Sequence, residues 1–512
     1  MKNLLLLLAL VCIIRAHSNA ADAPRPNIIF ILADDMGWGD PNCYGNSRIQ
    51  TPNLDRLAKQ GTLFEQFYVC GSVCSPSRAA FMTGQFPARL AIINSHRMKL
   101  HVLLVLSLCG ITSAAPLAIE TTLVDADALS YGTFQSNNQK VVRNSRGIFM
   151  THLHSRNEKY TAQQWRLSWS KDGGKTFRTL CEATGATNPP VLETDSADNL
   201  YIGRPDWVST EVLLCRFLAA DDYREPHITR VPKTAAGKYS MEIDEKRGQV
   251  CYFSHSGWFI RFGLNGALRS STFLLKSGTT AVQEYTHLHL ADDGTLHAAW
   301  TSLNIPKHLY WGIHHLQSSD GGETWRAFTT KNLALPILAD ETGKSDRITL
   351  DDEFEVSTWL SNFLNKDGKA HFLYAARTDP LRQHHVRYDI ATGERDIDHQ
   401  PKLSGEKLAL NGLDGFFAIR SAEPDSPLFC IAHDERITRI TCLRSDDNGA
   451  TWHDHAVSEP FGHPYAIGGC REITPDGFII GSFTDVTDEK KNGGACGRVH
   501  FFRIPAGKSS TR

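Results

Sequence analysis

Short alternating strands dominate the hydrophobic pattern of the chain beyond residue 116. Apolar side chains occupy every second position in short runs, and Gly, Asp or Asn separate these runs, as in antiparallel sheets. A turn followed by such a strand recurs seven times, at Gly147, Asn199, Gly248, Gly294, Gly368, Ser426 and Gly477. Seven units at this spacing predict a seven-bladed β-propeller over residues 116–512, with four strands in each blade. The segment at 119–125 is expected to supply the last strand and close the ring.

The first part of the chain has a different pattern. Residues 27–33 form a nearly continuous apolar run, which is typical of a strand buried on both faces of a parallel sheet. Residues 51–58 follow with a helical pattern. The predicted fold class is therefore mainly β, with a truncated α/β segment at 21–97 ahead of the propeller.

Two apolar runs resemble export signals. Residues 1–20 carry Lys2, an apolar run too short to span a bilayer, and a small-residue cleavage site. Residues 98–115 repeat this design after Met98. We interpret 1–20 as a signal peptide and 98–115 as an internal signal-like segment, although a buried hairpin or strand is the alternative for the second. Two exported proteins would then be joined in one chain, by fusion or by a gene-model error. We expect a secreted or periplasmic protein with no membrane span after signal removal.

The composition excludes two classes of protein. Hydrophobic residues make up 41% of the 512 residues, and 54 Lys and Arg stand against 56 Asp and Glu, for a net charge of −2. Disordered chains have fewer apolar residues and a larger net charge, and nucleic-acid binders usually carry a basic surplus. A folded protein that does not bind nucleic acid is expected.

The N-terminal part contains a cluster of chemically distinctive residues. Asp34 and Asp35 directly follow the apolar run, where two adjacent carboxylates suit a hard divalent cation, or alternatively cap a helix. Further along the chain, Cys74, Pro76 and Arg78 form the pattern C-x-P-x-R. A small buried cysteine is the alternative interpretation of Cys74.

Together these strings make residues 27–92 resemble the N-terminus of the formylglycine-dependent sulfatases of the arylsulfatase type. The resemblance implies that Cys74 is oxidised to the formylglycine nucleophile and that Arg78 holds it. It also implies that Asp34, Asp35 and Cys74 bind a divalent cation, with Ca²⁺ expected. The later motifs of that family are absent from this chain, so we expect the segment to be incomplete and inactive. A sulfuric ester hydrolase is kept as an alternative function.

Three copies of one turn motif lie in the C-terminal part, at residues 170–177, 318–325 and 445–452. Each copy places an Asp that can bond the amides of its own turn, then a Gly, then an aromatic residue. Residues 119–508 thereby resemble the Asp-box (BNR repeat) sialidase-like propellers, and the strings near residue 290 resemble the subgroup that includes polysaccharide lyases. The aspartates are interpreted as turn residues without a catalytic role.

The predicted register places a set of polar residues at one face of the propeller. The first strand of each blade begins, and the second ends, at the same face around the axis. Side chains expected there are Asn138, His152, His154, Arg204, Tyr239, His255, His287 and Arg377. For any single histidine, a hydrogen bond between blades is the alternative.

The polar side chains expected at this face predict that the propeller acts on an acidic polysaccharide that carries uronate or sulfate groups. A lyase needs a base, an acid and groups that neutralise the uronate. We assign Tyr239 and His255 as candidate catalytic residues, since both lie at the same end of one hairpin. The candidate substrate-binding residues are Asn138, His152, His154, Arg204, His287 and Arg377. A sialidase-like glycosidase and a non-catalytic glycan-binding propeller are the alternatives.

Overall fold

The computed structural model describes residues 31, 36–37, 39–66, 80, 116–135, 138–278, 281–353, 356–377, 382–399, 402–403, 406–407, 414–434, 438–488 and 496–507. The chain divides into two compact units, Met1–Ala114 and Ala115–Arg512. No helix in these described ranges is long and apolar enough to cross a membrane.

In the first unit, the structure describes a 3₁₀ turn at Asn42–Tyr44 and an α-helix at Pro52–Gln60. Proline occupies the first turn of the helix, where its missing N–H costs nothing. This helix matches the one predicted over 51–58. The two signal-like segments and nearly all of the predicted strand at 27–33 lie outside the described residues.

The described strands of the second unit form seven blades. Blade 1 contains β3 (Val141–Asn144), β4 (Gly147–Ser155), β5 (Gln163–Ser170) and β6 (Arg178–Ala183). Blade 2 contains β7 (Val191–Thr194), β8 (Leu200–Asp206), β9 (Glu211–Phe217) and β10 (His227–Pro232). Blade 3 contains β11 (Tyr239–Asp244), β12 (Gln249–Ser254), β13 (Trp258–Gly263) and β14 (Leu268–Phe273). Each is an antiparallel sheet in chain order.

The next blades follow the same plan. Blade 4 contains β16 (Ala281–Leu290), β17 (Leu296–Asn304), β18 (Leu309–Ser318) and β20 (Asp346–Arg347). Blade 5 contains β21 (Thr358–Lys366), β22 (Lys369–Ala376), β23 (Arg382–Asp389) and β24 (Arg395–His399). Blade 6 contains β27 (Phe416–Ile419), β28 (Leu428–Asp434), β29 (Arg439–Ser445) and β30 (His453–Val457). Short pairs are β15 (Leu275–Lys276) with β19 (Ile337–Leu338), and β25 (Lys402–Leu403) with β26 (Glu406–Lys407).

Blade 7 is completed by the N-terminal strand of the unit. It contains β31 (Pro464–Gly469), β32 (Phe478–Asp488) and β33 (Cys496–Pro505), and its fourth strand is β2 (Glu120–Leu129). Strand β2 runs antiparallel to β33, with Glu120 opposite Arg503. A short β1 (Leu117–Ala118) adds to blade 6. The predicted closure of the ring by the N-terminal strand is confirmed.

The first strands of the blades are neighbours around the ring, so they surround the axis of the propeller. Burial decreases from the inner to the outer strands: in blade 2, β8 is buried along almost its whole length, whereas β10 is mostly exposed. Apolar clusters fill the spaces between blades; one joins Phe149 and Trp165 of blade 1 to Leu192 and Leu213 of blade 2. Most of the free energy of folding from apolar burial is therefore gained between blades.

The three turn motifs lie between the third and fourth strands of blades 1, 4 and 6, as predicted. In the second of them, Asp320 accepts hydrogen bonds from the Thr324 backbone (2.9 Å) and the Ser318 hydroxyl (2.8 Å). Gly322 has a φ of +94°, and a Cβ atom there would lie 2.2 Å from the Phe259 ring of blade 3. The motif thus joins its blade to the preceding one.

Candidate functional site at the channel mouth

The register of blade 3 places the two candidate catalytic residues at one end of the blade. Tyr239, the first residue of β11, pairs with Ser254, the last residue of β12, and His255 follows directly. Because β11 is a first strand, this end lies beside the axis. We call this face of the propeller the channel mouth.

The imidazole of His255 is held by the backbone of Lys238. Its Nδ1 atom lies 3.0 Å from the Lys238 nitrogen and 3.4 Å from the Lys238 oxygen. Burial lowers the pKa of His255, so the ring is neutral at neutral pH. The Lys238 N–H donates to Nδ1, which places the ring hydrogen on Nε2. The other tautomer would direct an Nδ1 hydrogen at the Lys238 carbonyl and leave Nε2 as a base.

The side chain of Lys238 reaches the neighbouring blade. Its Nζ lies 2.7 Å from Oε2 of Glu284 and 5.0 Å from the ring centre of Tyr285, in cation–π contact. Strand β16 bulges between Glu284 and His287, and Tyr285 has a φ of +46°, an unusual backbone conformation for an aromatic residue. The bulge therefore determines which side chains of β16 face Lys238.

An aromatic row continues from Tyr285 to blade 5. The rings of Tyr285 and Tyr310 lie 5.5 Å apart, centre to centre, and burial, with a contribution from Tyr310, raises the pKa of Tyr285. Tyr310 lies 5.5 Å from Trp359, ring centre to ring centre. The exposed guanidinium of Arg377 lies 4.4 Å above the Trp359 ring. We refer to the following set as the mouth belt: Lys238, His255, Glu284, Tyr285, Tyr310, Trp359 and Arg377.

Tyr239 lies beneath this surface. It is fully buried, and its hydroxyl contacts the carbonyl oxygens of Asn188 (3.1 Å) and Pro189 (3.0 Å) as donor. Burial raises the pKa of Tyr239. These contacts favour a positioning role for the side chain, and its catalytic role stays a prediction.

Asn138 supports the same wall from blade 1. Its side-chain amide donates to Oε1 of Gln135 (2.8 Å), and the amide of Gln135 donates to the carbonyl of Gly237 (2.8 Å), next to Lys238. Asn138 is itself buried. It is linked to the mouth belt through Gln135, and its predicted contact with substrate is untested.

Arg204 and His287 lie between blades. Arg204 is only 7% exposed, donates to the Pro205 carbonyl, and lies 5.7 Å from the Trp165 ring. His287 is fully buried 6.1 Å from Phe363, and burial holds its pKa well below the usual range. Their substrate-binding role stays a prediction, which would require these interfaces to open.

His152 and His154 belong to a different cluster. Both rings contact the carboxylate of Asp125, at 3.1 Å from Nε2 of His152 and 2.8 Å from Nδ1 of His154. Arg166 adds a third contact at 3.3 Å. Burial alone would raise the pKa of Asp125, but His152, His154 and the Asp127 N–H hold it well below its usual range. The structure therefore separates these two histidines from the mouth belt.

The sequence did not identify Lys238, Glu284, Tyr310 and Trp359 as site residues. Trp359 follows the alternation of an ordinary strand residue, and Lys238 precedes a strand where a solvated lysine is common. The sequence signal that could have indicated them is a lysine or an arginine close to aromatic residues at the ends of blade strands.

Metal ligands are not found in the described part of the chain, where no group of three or more His, Cys, Asp or Glu is arranged to hold an ion. The predicted sulfatase-like residues Asp34, Asp35, Cys74 and Arg78 lie outside the described residues. The predicted divalent cation therefore stays a prediction.

Comparison with known proteins confirms the resemblance of the N-terminal segment to sulfatases. Residues 26–115 match the Sulfatase family model. Steryl-sulfatase of Homo sapiens is 57% identical over 74 residues, which are 14% of this chain and 12% of that protein. N-acetylgalactosamine-6-sulfatase of Rattus norvegicus is 56% identical over 71 residues, 14% of each chain. The chain thus spans only a small part of the length of these curated relatives.

The second unit resembles a solved polysaccharide lyase in fold. An ulvan lyase of family PL25, solved bound to -[GlcA(1-4)Rha3S]-, superposes with a TM-score of 0.52 at 11% identity. The match covers 74% of this chain and 94% of that one. This similarity confirms the predicted propeller fold.

Proposed function

We propose that the propeller binds an acidic polysaccharide with uronate or sulfate groups at the mouth belt and cleaves it as a lyase. One observation carries this proposal. A neutral imidazole, His255, lies on the same face as two cations held against aromatic rings, Lys238 over Tyr285 and Arg377 over Trp359. The similar fold of the ulvan lyase supports it.

Of the two cations, Arg377 suits an anionic sugar directly, because Lys238 is already paired with Glu284 at 2.7 Å. Arg377 is exposed, and its planar guanidinium can form two hydrogen bonds to a carboxylate or sulfate group. Trp359 and Tyr310 offer amphipathic rings beside it. An acidic glycan would therefore find charge neutralisation and ring contacts together.

His255 has the properties required of the base in β-elimination. The reaction takes a proton from the carbon next to the carboxylate, forms a carbon–carbon double bond and breaks the bond to the leaving oxygen. Burial keeps His255 unprotonated. The Lys238 N–H donates to Nδ1 at 3.0 Å and favours a ring hydrogen on Nε2, so base action requires the other tautomer, in which Nδ1–H is directed at the Lys238 carbonyl and Nε2 takes the proton. We assign the proton for the leaving oxygen to Tyr310, which is half-buried and packs against the Tyr285 ring.

The test is incubation of the full chain with uronate-rich polysaccharides, including sulfated algal ones. A lyase creates an unsaturated sugar that absorbs in the ultraviolet. We expect His255→Gln to lower kcat by about 10²- to 10⁴-fold and Arg377→Ala mainly to raise KM. Arg230→Ala is the matched control, because Arg230 is an exposed arginine of β10 paired with Glu211.

Other results identify the alternatives. Binding without chain shortening would indicate a non-catalytic glycan-binding propeller. Shortening without an ultraviolet product would indicate a sialidase-like glycosidase. In either case, the lyase proposal is wrong.

For the N-terminal segment, we propose an incomplete and inactive sulfatase, because its match to steryl-sulfatase covers 12% of that protein. The full chain, with Ca²⁺ added, should not hydrolyse a chromogenic aryl sulfate. Turnover that disappears in Cys74→Ala would instead establish the alternative, a sulfuric ester hydrolase. We further propose that the protein is secreted or periplasmic, with residues 1–20 as its signal peptide.

A further inference from the structure

A second opening lies on blade 1, where the end of β2 meets the loop between β4 and β5. Its volume is about 460 Å³, within the range of roughly 300–1,000 Å³ typical of small-molecule sites. We call it the blade 1 cleft; its lining includes Asp127, His154, Arg156, Asn157 and Tyr160. None of these residues belongs to the mouth belt.

One wall of the cleft is fixed by a buried carboxylate. Asp125, only 6% exposed, contacts Nδ1 of His154 at 2.8 Å and is itself held by His152 and Arg166. His154 lines the cleft, and because Asp125 engages its Nδ1, Nε2 is the ring nitrogen left to bond a ligand. A buried charged network of this kind stabilises a fold poorly, and a positioning role for a ligand group would explain it.

Another part of the lining is a preorganised turn. Tyr160 has a φ of +52°, and its backbone N–H donates to the carbonyl of Asn157 (3.1 Å). The Asn157 side chain accepts from the Thr161 backbone and donates to its hydroxyl, both at 3.1 Å. The Tyr160 hydroxyl reaches Oδ1 of Asp127 at 3.3 Å. The ring of Tyr160 is thereby held at the cleft in an uncommon backbone conformation.

We propose that the blade 1 cleft is a second saccharide-binding site that takes one neutral pyranose unit. The class of ligand is inferred from the chemistry of the residues that line the cleft. Asp127 and Asn157 can bond sugar hydroxyls, His154 adds a ring nitrogen, and Tyr160 offers a face for the apolar side of the sugar.

The charge of the lining distinguishes this cleft from the mouth belt. Asp127 and Glu158 are carboxylates, and Arg156 is the one arginine or lysine in the described lining. A uronate or sulfate group would meet net repulsion here, whereas the mouth belt has two cations, Lys238 and Arg377, and one carboxylate, Glu284. The two sites would therefore select different sugars, and this proposal does not depend on the lyase activity.

The test is titration of the full chain with methyl glycosides of glucose, galactose, xylose and rhamnose, followed by saturation-transfer NMR and calorimetry. Methyl glucuronide is the anionic comparison. Asp127→Asn and Tyr160→Asn remove the two main contacts, and asparagine tolerates the left-handed backbone at position 160. Lys175→Ala is the matched control, because Lys175 lines a separate opening of about 460 Å³.

We expect saturable binding of at least one neutral glycoside, weakened tenfold or more by either substitution and unchanged in Lys175→Ala. The proposal is overturned by no saturable binding, by binding in both cleft variants that equals that of the unsubstituted protein, or by stronger binding of the glucuronide at this cleft. Thermal unfolding confirms that the variants fold. If Tyr160→Asn does not fold, Asp127→Asn carries the test, because Asp127 is exposed.

Discussion

The imidazole of His255 and the backbone of Lys238 form a fixed pair, with Nδ1 3.0 Å from the Lys238 nitrogen. The side chain of the same lysine forms an ion pair with Glu284 on blade 4. One residue thus orients a neutral ring and holds a cation at the junction of two blades. Movement of the loop before β11 would displace both groups together.

Arg377→Lys separates the charge of Arg377 from its shape. Lysine keeps the positive charge but cannot lie flat over Trp359, so we expect about a three- to fivefold loss of affinity for an acidic polysaccharide, equal to about 0.5–1 kcal/mol. Arg377→Ala should lose more and reduce the dependence of binding on salt. Titrations at two salt concentrations measure this. Equal affinity of all three proteins would contradict a role for Arg377.

Tyr239→Phe distinguishes positioning from proton transfer. Loss of the hydroxyl leaves the carbonyls of Asn188 and Pro189 without this donor, so we expect the free energy of unfolding to fall by about 1 kcal/mol. The kcat of the proposed lyase should fall less than tenfold. A fall of about 10²- to 10⁴-fold, with the fold intact, would establish the predicted catalytic role.

Stability should decrease as the pH rises through 9, because of His384. Its ring lies 2.8 Å from Asp398 and 2.5 Å from Glu353. Burial alone would lower its pKa, but these two carboxylates raise the pKa to about 9. A raised folded pKa gives stability that is complete below the unfolded value, about 6.5, and is lost through pH 9.

Urea unfolding between pH 6 and 10 measures this dependence. The decrease in the free energy of unfolding with pH that is due to His384 should disappear in His384→Gln. An unchanged slope in that variant would assign the pH dependence to other groups.

Gly322→Ala should destabilise the propeller strongly. The added methyl group would overlap Phe259, and the backbone has a positive φ, so we expect a loss of about 3 kcal/mol. Gly368→Ala is the control: φ is +65° there, but no atom lies within 4 Å of the added Cβ. It should lose only about 1 kcal/mol. Equal losses would show that backbone strain alone matters.

Residues 116–512 should fold without the rest of the chain. The described blades form a closed ring, and β2 completes blade 7 from within this unit. We expect cooperative unfolding with the circular dichroism of a β protein. An aggregated product that folds only with residues 21–97 present would show that the two units depend on each other.

The sequence predicted the repeating features well, because they depend on local patterns. The alternation of the strands, the aspartate turns and the missing fourth strand of the last blade can each be recognised from residues close in the chain. Pro52 indicated the start of the helix. The site was predicted less completely. The bulge at Tyr285 shifts the register of β16, so the orientation of His287 did not follow from simple alternation.

Contacts between strands that are distant in sequence also could not be predicted from the sequence pattern. Asp125 was recognised only as part of the closing strand, yet it binds His152 and His154 of blade 1. Nothing in the spacing of these residues indicates that contact. Arg204 follows its strand register, but the neighbouring blade determines how deeply it is buried.

The pairing of β2 with β33 affects how the protein folds during its synthesis. Arg503 donates to Glu120 at 2.7 Å across 383 residues of chain. During synthesis, β2 emerges early and must wait for β33, nearly the last segment, while its strand edge stays open to incorrect pairing. Contacts this distant in sequence slow folding. A chain that ends before β33 would therefore leave the ring open at the seventh blade.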